Sequence, residues 1–253
     1  MADDEPANVP SSAELWEAHS KWWIDGFTAG ADPEYDEQIL PLAGAELTGA
    51  SRVLDVGCGE GQICRLAGRL DGVELVTGVD PTWNQIGAAV ERGGACYARA
   101  AAHALPFPDR TFDAVIACLV FEHIDEVDMA IAEVSRVLGP GGRFCLFLNH
   151  PLLQTPDSGW IDDHVVDPPE QYWRIGRYLE EAETIEEVEL GVHIRFIHRP
   201  LSRYVNALAQ RGLSIEWMVE PQPPPGFLAL APEYTEAATV PRLLYLRCRR
   251  SPD

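Results

Sequence analysis

Three glycines at alternate positions constrain the fold of this chain more than any other feature. Gly57, Gly59 and Gly61 follow the short apolar run Arg52–Val56 and precede a helical pattern that begins at Gln62. Gly57 permits a tight turn, and Gly59 leaves the backbone bare where a ligand would touch it. The helix points its N-terminus at the same place. The segment therefore predicts a buried strand, a turn and a helix, which together form the usual ligand site of an open α/β sheet.

Strands and helices alternate along the rest of the chain as well. Short apolar runs predict strands, and stretches with helical periodicity predict helices. The predicted strands are Arg52–Val56, Glu74–Val79, Ala95–Ala98, Phe112–Leu119, Arg143–Leu148, Leu213–Glu220 and Arg242–Cys248. The predicted helices are Gln62–Leu70, Asn84–Arg92, Asp125–Leu138 and Leu201–Arg211. This order predicts an α/β fold in which helices cover both faces of a mostly parallel sheet.

The N-terminal part of the chain precedes this alternating series. Residues 1–10 are polar and are expected to form a flexible tail, whereas residues 11–253 are expected to form a single domain. Within it, residues 11–47 predict two helices that begin near Ser11 and Pro33. The first helix carries a large aromatic surface, formed by Trp16, Trp22, Trp23 and Phe27. Such a surface predicts a lid over the ligand site, packing on the sheet edge, or a contact within a homodimer.

The remainder of the domain divides into three parts. Residues 48–149 form the predicted ligand-binding core, and residues 201–253 hold the last helix and strands. Between them, residues 150–200 are rich in acidic side chains and include Trp160, Tyr172 and Trp173. We interpret this segment as a substrate-side insertion above the sheet, with a solvated loop as the alternative.

Charge and composition narrow the possible partners. The chain has 19 Lys+Arg against 40 Asp+Glu, a net charge of −21. Such a surface repels phosphate backbones and anionic lipids, which argues against nucleic acids and membranes and favours small molecules or basic partners. The longest clean apolar run, Ala114–Phe121, is far shorter than the ~20 residues of a membrane span. The acidic start is unlike a signal peptide, and the six scattered cysteines lack a C-x-x-C pair, so a cytoplasmic protein is expected.

The glycine spacing separates two classes of nucleotide cofactor. A dinucleotide site has the pattern G-x-G-x-x-G, which would require glycine at position 62. Gln62 stands there instead, and this residue disfavours a dehydrogenase. Asp55 lies two residues before the first glycine, at the end of the strand. This acidic-x-Gly-x-Gly-x-Gly pattern resembles the first motif of class I S-adenosylmethionine (SAM) dependent methyltransferases.

A second acidic residue stands at the next strand end. Asp80 follows Asp55 by 25 residues, about one βα unit. A carboxylate there can accept hydrogen bonds from both ribose hydroxyls of a nucleoside. Pro81 and Trp83 follow it and are candidates for the wall beside the adenine, with the core as the alternative place for Trp83.

Later motifs extend the resemblance across residues 50–150. His103–Asp113 is similar to an L-P-F-x-D-x-S-F-D stretch, Leu119–Asp125 to the segment after the fourth strand, and Val137–Gly142 to an L-K-P-G-G turn. These features are typical of small-molecule methyltransferases similar to the ubiquinone/menaquinone-type C-methyltransferases. The resemblance implies a Rossmann-like, mostly parallel seven-stranded sheet with an antiparallel last strand, and SAM as cofactor. It implies these cofactor-binding residues: Asp55, Gly57, Cys58, Gly59, Gln62, Asp80, Pro81, Ala102, His103 and Cys118.

One position departs from the family pattern. The acidic residue that often binds the adenine amino group in the family is replaced here by Ala101. Adenine binding is then expected to depend on backbone groups near Ala102 and His103, or on the His103 side chain. The departure also leaves open a non-catalytic, nucleoside-binding regulator with the same fold.

The implied reaction is an in-line transfer of a methyl group to a small-molecule acceptor, with a protein acceptor as the alternative. Such a reaction depends on alignment of the reactants and requires no metal in principle. A histidine suits the role of general base at neutral pH. His123 and His150 follow the fourth and fifth core strands, so one of them is predicted to contact the acceptor or act as the base.

Overall fold

The computed structural model describes residues 9–234 and 236–252. Most of the predicted tail, residues 1–10, lies outside them. The helices are α1 (Ser12–Phe27), α2 (Leu40–Leu47), α3 (Gln62–Ala67), α4 (Trp83–Arg92), α5 (Val127–Val137), α6 (Leu201–Gln210) and α7 (Pro225–Leu230). A π-helical turn, Tyr35–Ile39, precedes α2, and short 3-10 turns lie at Phe121–His123 and Ala237–Thr239. The strands are β1 (Arg52–Val56), β2 (Leu75–Asp80), β3 (Cys96–Arg99), β4 (Phe112–Cys118), β5 (Leu138–Asn149), β6 (Gly159–Asp163), β7 (Glu170–Arg174), β8 (Ala182–Glu189), β9 (Val192–His198), β10 (Leu213–Val219) and β11 (Leu243–Arg250).

Seven strands form one sheet in the order β10-β11-β5-β4-β1-β2-β3. Strands β3, β2, β1, β4 and β5 are parallel, and β11 is antiparallel to both β5 and β10. The predicted Rossmann-like sheet with its antiparallel last strand is therefore confirmed. The chain proceeds outward from β1 through β2 and β3 and then returns to β4 on the other side of β1. This reversal creates a crevice at the carboxyl ends of the strands, where ligands bind in open α/β sheets.

The core lies on both faces of the sheet. Along β4, Val115 and Ala117 belong to the cluster that packs with α5 and α6, whereas Ala114, Ile116 and Cys118 belong to the cluster that packs with α2 and α3. Because side chains alternate across a strand, a continuous apolar run fills two helical layers at once. The core thus holds the strand ends rigidly in place beneath the crevice.

Two antiparallel hairpins form most of the acidic insertion, β6 with β7 and β8 with β9. The solvated-loop alternative was wrong for these residues. In the second hairpin Ile194 and Ile197 are buried, whereas the acidic side chains of β8 face solvent. The many glutamates of β8 concealed its strand pattern because glutamate is uncommon in strands.

Two further observations concern cysteines and membranes. All six cysteines are free thiols. Among residues 9–234 and 236–252, no helix combines the length and the apolar character that crossing a bilayer requires.

Candidate functional site

A cavity of about 330 Å³ opens at the carboxyl ends of β1, β2 and β4. The ten residues predicted to bind the cofactor all line it: Asp55, Gly57, Cys58, Gly59, Gln62, Asp80, Pro81, Ala102, His103 and Cys118. His123 lines the same cavity. The fold therefore brings the predicted cofactor residues and one predicted acceptor-side histidine to one place. Their contact with a cofactor stays a prediction.

Hydrogen bonds to strand β2 hold the glycine turn in place, and the Val120 side chain packs closely against it. The N–H groups of Gly57 and Cys58 both donate to the carbonyl of Val79, at 2.8 and 2.9 Å. Gly57 has a φ of +74°, and a Cβ there would lie 2.3 Å from Val120 Cγ2. Only glycine fits this position, because both the backbone conformation and the space exclude a side chain.

Asp80 connects the glycine turn to α4. Its Oδ2 accepts the Gly59 N–H at 3.1 Å, while its Oδ1 accepts the N–H and the hydroxyl of Thr82 at 2.9 and 2.7 Å. A carboxylate has about four acceptor positions, so Asp80 retains capacity for a ligand. Burial is the largest influence on this carboxyl and raises its pKa, although the three hydrogen bonds oppose the rise.

Asp55 is almost completely buried, with 1% of its surface exposed, as is Glu60 in the same cavity. Its Oδ2 accepts a hydrogen bond from the Cys64 thiol at 3.3 Å. Burial raises the pKa of Asp55 to about 7, and the negative charges of Asp80 and Glu60 act in the same direction. A cation in the cavity would favour the ionised form of this carboxyl.

This carboxyl predicts a pH-dependent affinity for a cationic ligand. The affinity for SAM should rise about tenfold from pH 6 to pH 8, because the ionised fraction of a group with a pKa near 7 rises by that factor. Calorimetric titrations at several pH values measure this slope. Asp55→Asn should remove this pH dependence. Because both proteins are titrated with the same ligand, any ionisation of SAM itself contributes equally to the two slopes. Equal slopes for both proteins would contradict the assignment.

Helix α1 forms one wall of the cavity. A capping box at Ser11 and Glu14 starts the helix, and Trp16 and Trp23 line the cavity. The Glu17 carboxylate accepts the N–H groups of Trp83 and Asn84 at the start of α4, at 2.6 and 3.1 Å. Helix α1 is thus tied to the element that follows Asp80, an arrangement that fits the lid interpretation.

The β8–β9 hairpin braces His123, one of the residues that line the cavity. The ring Nδ1 of His123 lies 2.8 Å from the carbonyl oxygen of Arg195 in β9, and its ring contacts Trp16 and Phe196. Burial lowers the pKa of His123 to about 4. The neutral ring therefore carries its proton on Nδ1, donates it to this carbonyl, and leaves Nε2 as an acceptor.

Two predicted residues lie elsewhere. His150 does not line the cavity; its Nε2 lies 2.8 Å from Glu220 Oε1, and its Nδ1 accepts the Leu152 N–H at 3.1 Å. Trp83 is 63% exposed, beneath the Arg99 guanidinium, so it neither walls the cavity nor joins the core. In both cases a long-range side-chain contact decides the orientation.

Several cavity residues were not predicted from the sequence. Buried polar atoms without a hydrogen-bond partner among the described residues include Ser12 Oγ, Gln62 Nε2, Gln85 Oε1 and Glu60 Oε1, and all four side chains line the cavity. Of these four residues, only Gln62 was predicted from the sequence to bind the cofactor. Gln85 lies on α4 five residues after Asp80, a spacing that offered a signal, because the first turn of that helix faces the crevice.

Comparisons with known proteins agree with this geometry. The family described as "Methyltransferase domain" matches residues 54–146. An S-adenosylmethionine-dependent methyltransferase from Mesorhizobium loti superposes with a TM-score of 0.71 and 30% identity, over 83% of this chain and 96% of that one. O-methyltransferase resE from Aspergillus sclerotiorum is 31% identical over 51% of this chain and 52% of its own. The ubiquinone/menaquinone biosynthesis C-methyltransferase UbiE of Desulfotalea psychrophila is 36% identical over 48% of this chain and 50% of its own.

The fold and the site define a Rossmann-like methyltransferase. The chain belongs to the class I S-adenosylmethionine-dependent methyltransferases, whose cofactor is SAM. It spans about half the length of the curated relatives that it matches.

The cavity residues suit that cofactor. SAM carries positive charge and hydroxyl groups, and the cavity presents the carboxylates of Asp55 and Asp80. A Cβ at Gly59 would lie at an ordinary contact distance of 3.6 Å from Trp23 Nε1, so the φ of +52° is what favours glycine there. The unpartnered Gln62 Nε2 is a donor for a ligand carboxylate, and unpartnered buried donors are costly unless a ligand satisfies them.

Proposed function

We propose that the protein transfers a methyl group from SAM to a small-molecule acceptor by in-line displacement. The observation that carries the proposal is the single cavity in which the glycine turn, Asp80 and His123 meet. Within it, Asp80 would bind the ribose, Gln62 the cofactor carboxylate, and His123 the acceptor.

The residues of the chain act mainly by alignment and electrostatics. When bound, SAM supplies a methyl group that its sulfonium already makes electrophilic. Asp55 and Asp80 stabilise positive charge beside the glycine turn. Helix α1 forms one wall of the cavity, where Trp16 contributes an apolar surface beside His123. Holding the reactants in line can lower the barrier by about 7–11 kcal/mol.

The lining of the cavity favours a small acceptor without phosphate groups. Five carboxylate side chains line it, those of Asp55, Glu60, Asp80, Asp125 and Glu126, whereas no Lys or Arg is among its described lining residues. The net charge of −21 also disfavours acceptors that carry phosphate groups. The relative from D. psychrophila is named for ubiquinone/menaquinone biosynthesis, which supports a small-molecule acceptor in this family.

His123 is proposed to accept a hydrogen bond from the acceptor through Nε2. His123→Asn retains a donor near the position of Nδ1 for the Arg195 carbonyl but removes Nε2. We expect methyl transfer to fall by up to about tenfold, because a hydrogen bond between neutral groups contributes about 0.5–1.5 kcal/mol, while SAM affinity changes less than about twofold. Turnover and calorimetric titration measure the two quantities. Unchanged turnover would remove His123 from the site.

The proposed function is tested by incubating the protein with methyl-labelled SAM and a panel of small metabolites. Labelled product should form with at least one acceptor and should be lost in Asp80→Asn. SAM binding without transfer to any acceptor would favour the non-catalytic regulator. Transfer only to proteins, with turnover that falls as salt rises, would favour a macromolecular substrate.

A further inference from the structure

A second cleft lies between the β6–β7 hairpin and the segment that follows α7. It has a volume of about 470 Å³ and is lined by residues of β7, by Trp160 of β6, and by Glu236, Thr239 and Val240. We name it the hairpin cleft. None of its lining residues lines the methyltransferase cavity.

Aromatic rings form the hairpin side of this cleft. Trp160 and Trp173 are register partners in β6 and β7, and their rings meet edge to face at 89°, with centroids 5.5 Å apart. Tyr234 stacks on Trp160 at 5.3 Å and 12°, which fixes the indole in place. Tyr172, 47% exposed, also lines the cleft. Indole faces are the best aromatic partners for organic cations.

The charged groups of the cleft have one sign. Glu170 and Glu236 both line it and are both exposed, while its described lining residues include no Lys, Arg or His. Carboxylates beside aromatic rings attract cations and repel anions. The charge of the cleft therefore selects for positively charged ligands.

An unpartnered donor adds a polar feature. Trp173 Nε1 is buried and has no hydrogen-bond partner among the described residues. A buried indole N–H without an acceptor is costly, and a ligand oxygen would satisfy it. Aromatic rings, two carboxylates and an unused donor therefore occur together at the hairpin cleft.

From these observations we propose that the hairpin cleft is a second ligand site, which binds a small alkylammonium compound that also carries an oxygen atom. The indoles and the two glutamates hold the ammonium group, and the oxygen accepts from Trp173 Nε1. The site is independent of SAM binding, so its test does not depend on the proposed methyl transfer.

Choline is the probe for this site. The indole N–H signals of Trp160 and Trp173 are followed by NMR in the full-length protein, after assignment with Trp160→Phe and Trp173→Phe. Choline should shift both signals with a saturable, millimolar midpoint. Its neutral isostere 3,3-dimethylbutan-1-ol, which keeps the hydroxyl but lacks the charge, should bind at least about fivefold more weakly. Tetramethylammonium, which keeps the charge but lacks the oxygen, should bind with intermediate affinity.

Two variant proteins test whether choline binds in the hairpin cleft. Glu170→Gln with Glu236→Gln preserves shape, removes both charges and should raise the choline midpoint about fivefold or more. Glu189→Gln, an exposed carboxylate on the other hairpin, should leave it unchanged. The proposal is overturned if choline and its isostere bind equally, if the double variant binds choline like the parent, or if tens of millimolar choline shift neither indole.

Discussion

Asp80→Asn is expected to abolish useful SAM binding while leaving the protein folded. The substitution keeps the size of the side chain and one oxygen acceptor, but it removes the charge that would strengthen a hydrogen bond to the ribose and attract a cationic ligand. A hydrogen bond to a charged group contributes about 1.5–3 kcal/mol, so the affinity should fall by about 100-fold once the lost attraction is included. Calorimetric titration of SAM into both proteins measures the difference.

The matched control is Asp113→Asn. Asp113 also accepts backbone hydrogen bonds, from the N–H groups of Ser51 and Arg52 at 3.0 Å, but at the opposite end of β1. We expect both variants to remain folded, because each keeps a side-chain oxygen that can accept from the backbone donors. Only Asp80→Asn should lose SAM. Similar affinities for the two variants would show that Asp80 does not bind the ligand.

Gly57→Ala should destabilise the fold and displace the glycine turn. An alanine at a φ of +74° costs about 1–2 kcal/mol. The collision with Val120 adds about 1–3 kcal/mol of overpacking. We therefore expect a loss of about 2–5 kcal/mol in the free energy of unfolding, measured by urea denaturation, together with loss of SAM binding.

Two further variants separate the causes of this loss. Gly72→Ala has a similar φ of +85° but open space around its Cβ, so it should show the conformational cost alone. Val120→Ala introduced together with Gly57→Ala should recover part of the collision cost. A Gly57→Ala protein as stable as Gly72→Ala would mean that the turn does not approach Val120 closely.

Much of the fold could be predicted because the spacing of apolar residues, which distinguishes helices from strands, is a property of the local sequence. Strand β1 has the predicted bounds, Arg52–Val56, and most other core elements differ by one or two residues at either end. Strand β5 differs more and begins at Leu138, because Leu138 pairs with Phe112 ahead of a register shift that takes up the turn-like residues 139–142. The local composition of that segment indicated a turn, and the neighbouring strand overrode it.

The sequence predicted only those site residues whose positions are fixed by the backbone at the strand ends. Asp55, the glycine turn and Asp80 follow from strand ends, which the topology brings together. His123 lines the cavity and His150 does not, because a distant partner orients each ring. The partner of His123 is Arg195 in the insertion, and the partner of His150 is Glu220 after β10. Neither contact is visible in the local sequence. Glu17, which ties α1 to α4, was missed for the same reason.

The most direct test of the account is a calorimetric titration with S-adenosylhomocysteine, the product of methyl transfer from SAM. A folded protein should bind it one to one with a dissociation constant of roughly 1–100 μM, typical of small-molecule sites that operate near cellular ligand levels. Binding should vanish in Asp80→Asn and persist in Asp113→Asn. Absence of heat at millimolar ligand, with the protein shown to be folded, would contradict the assignment of this cavity to an adenosyl compound.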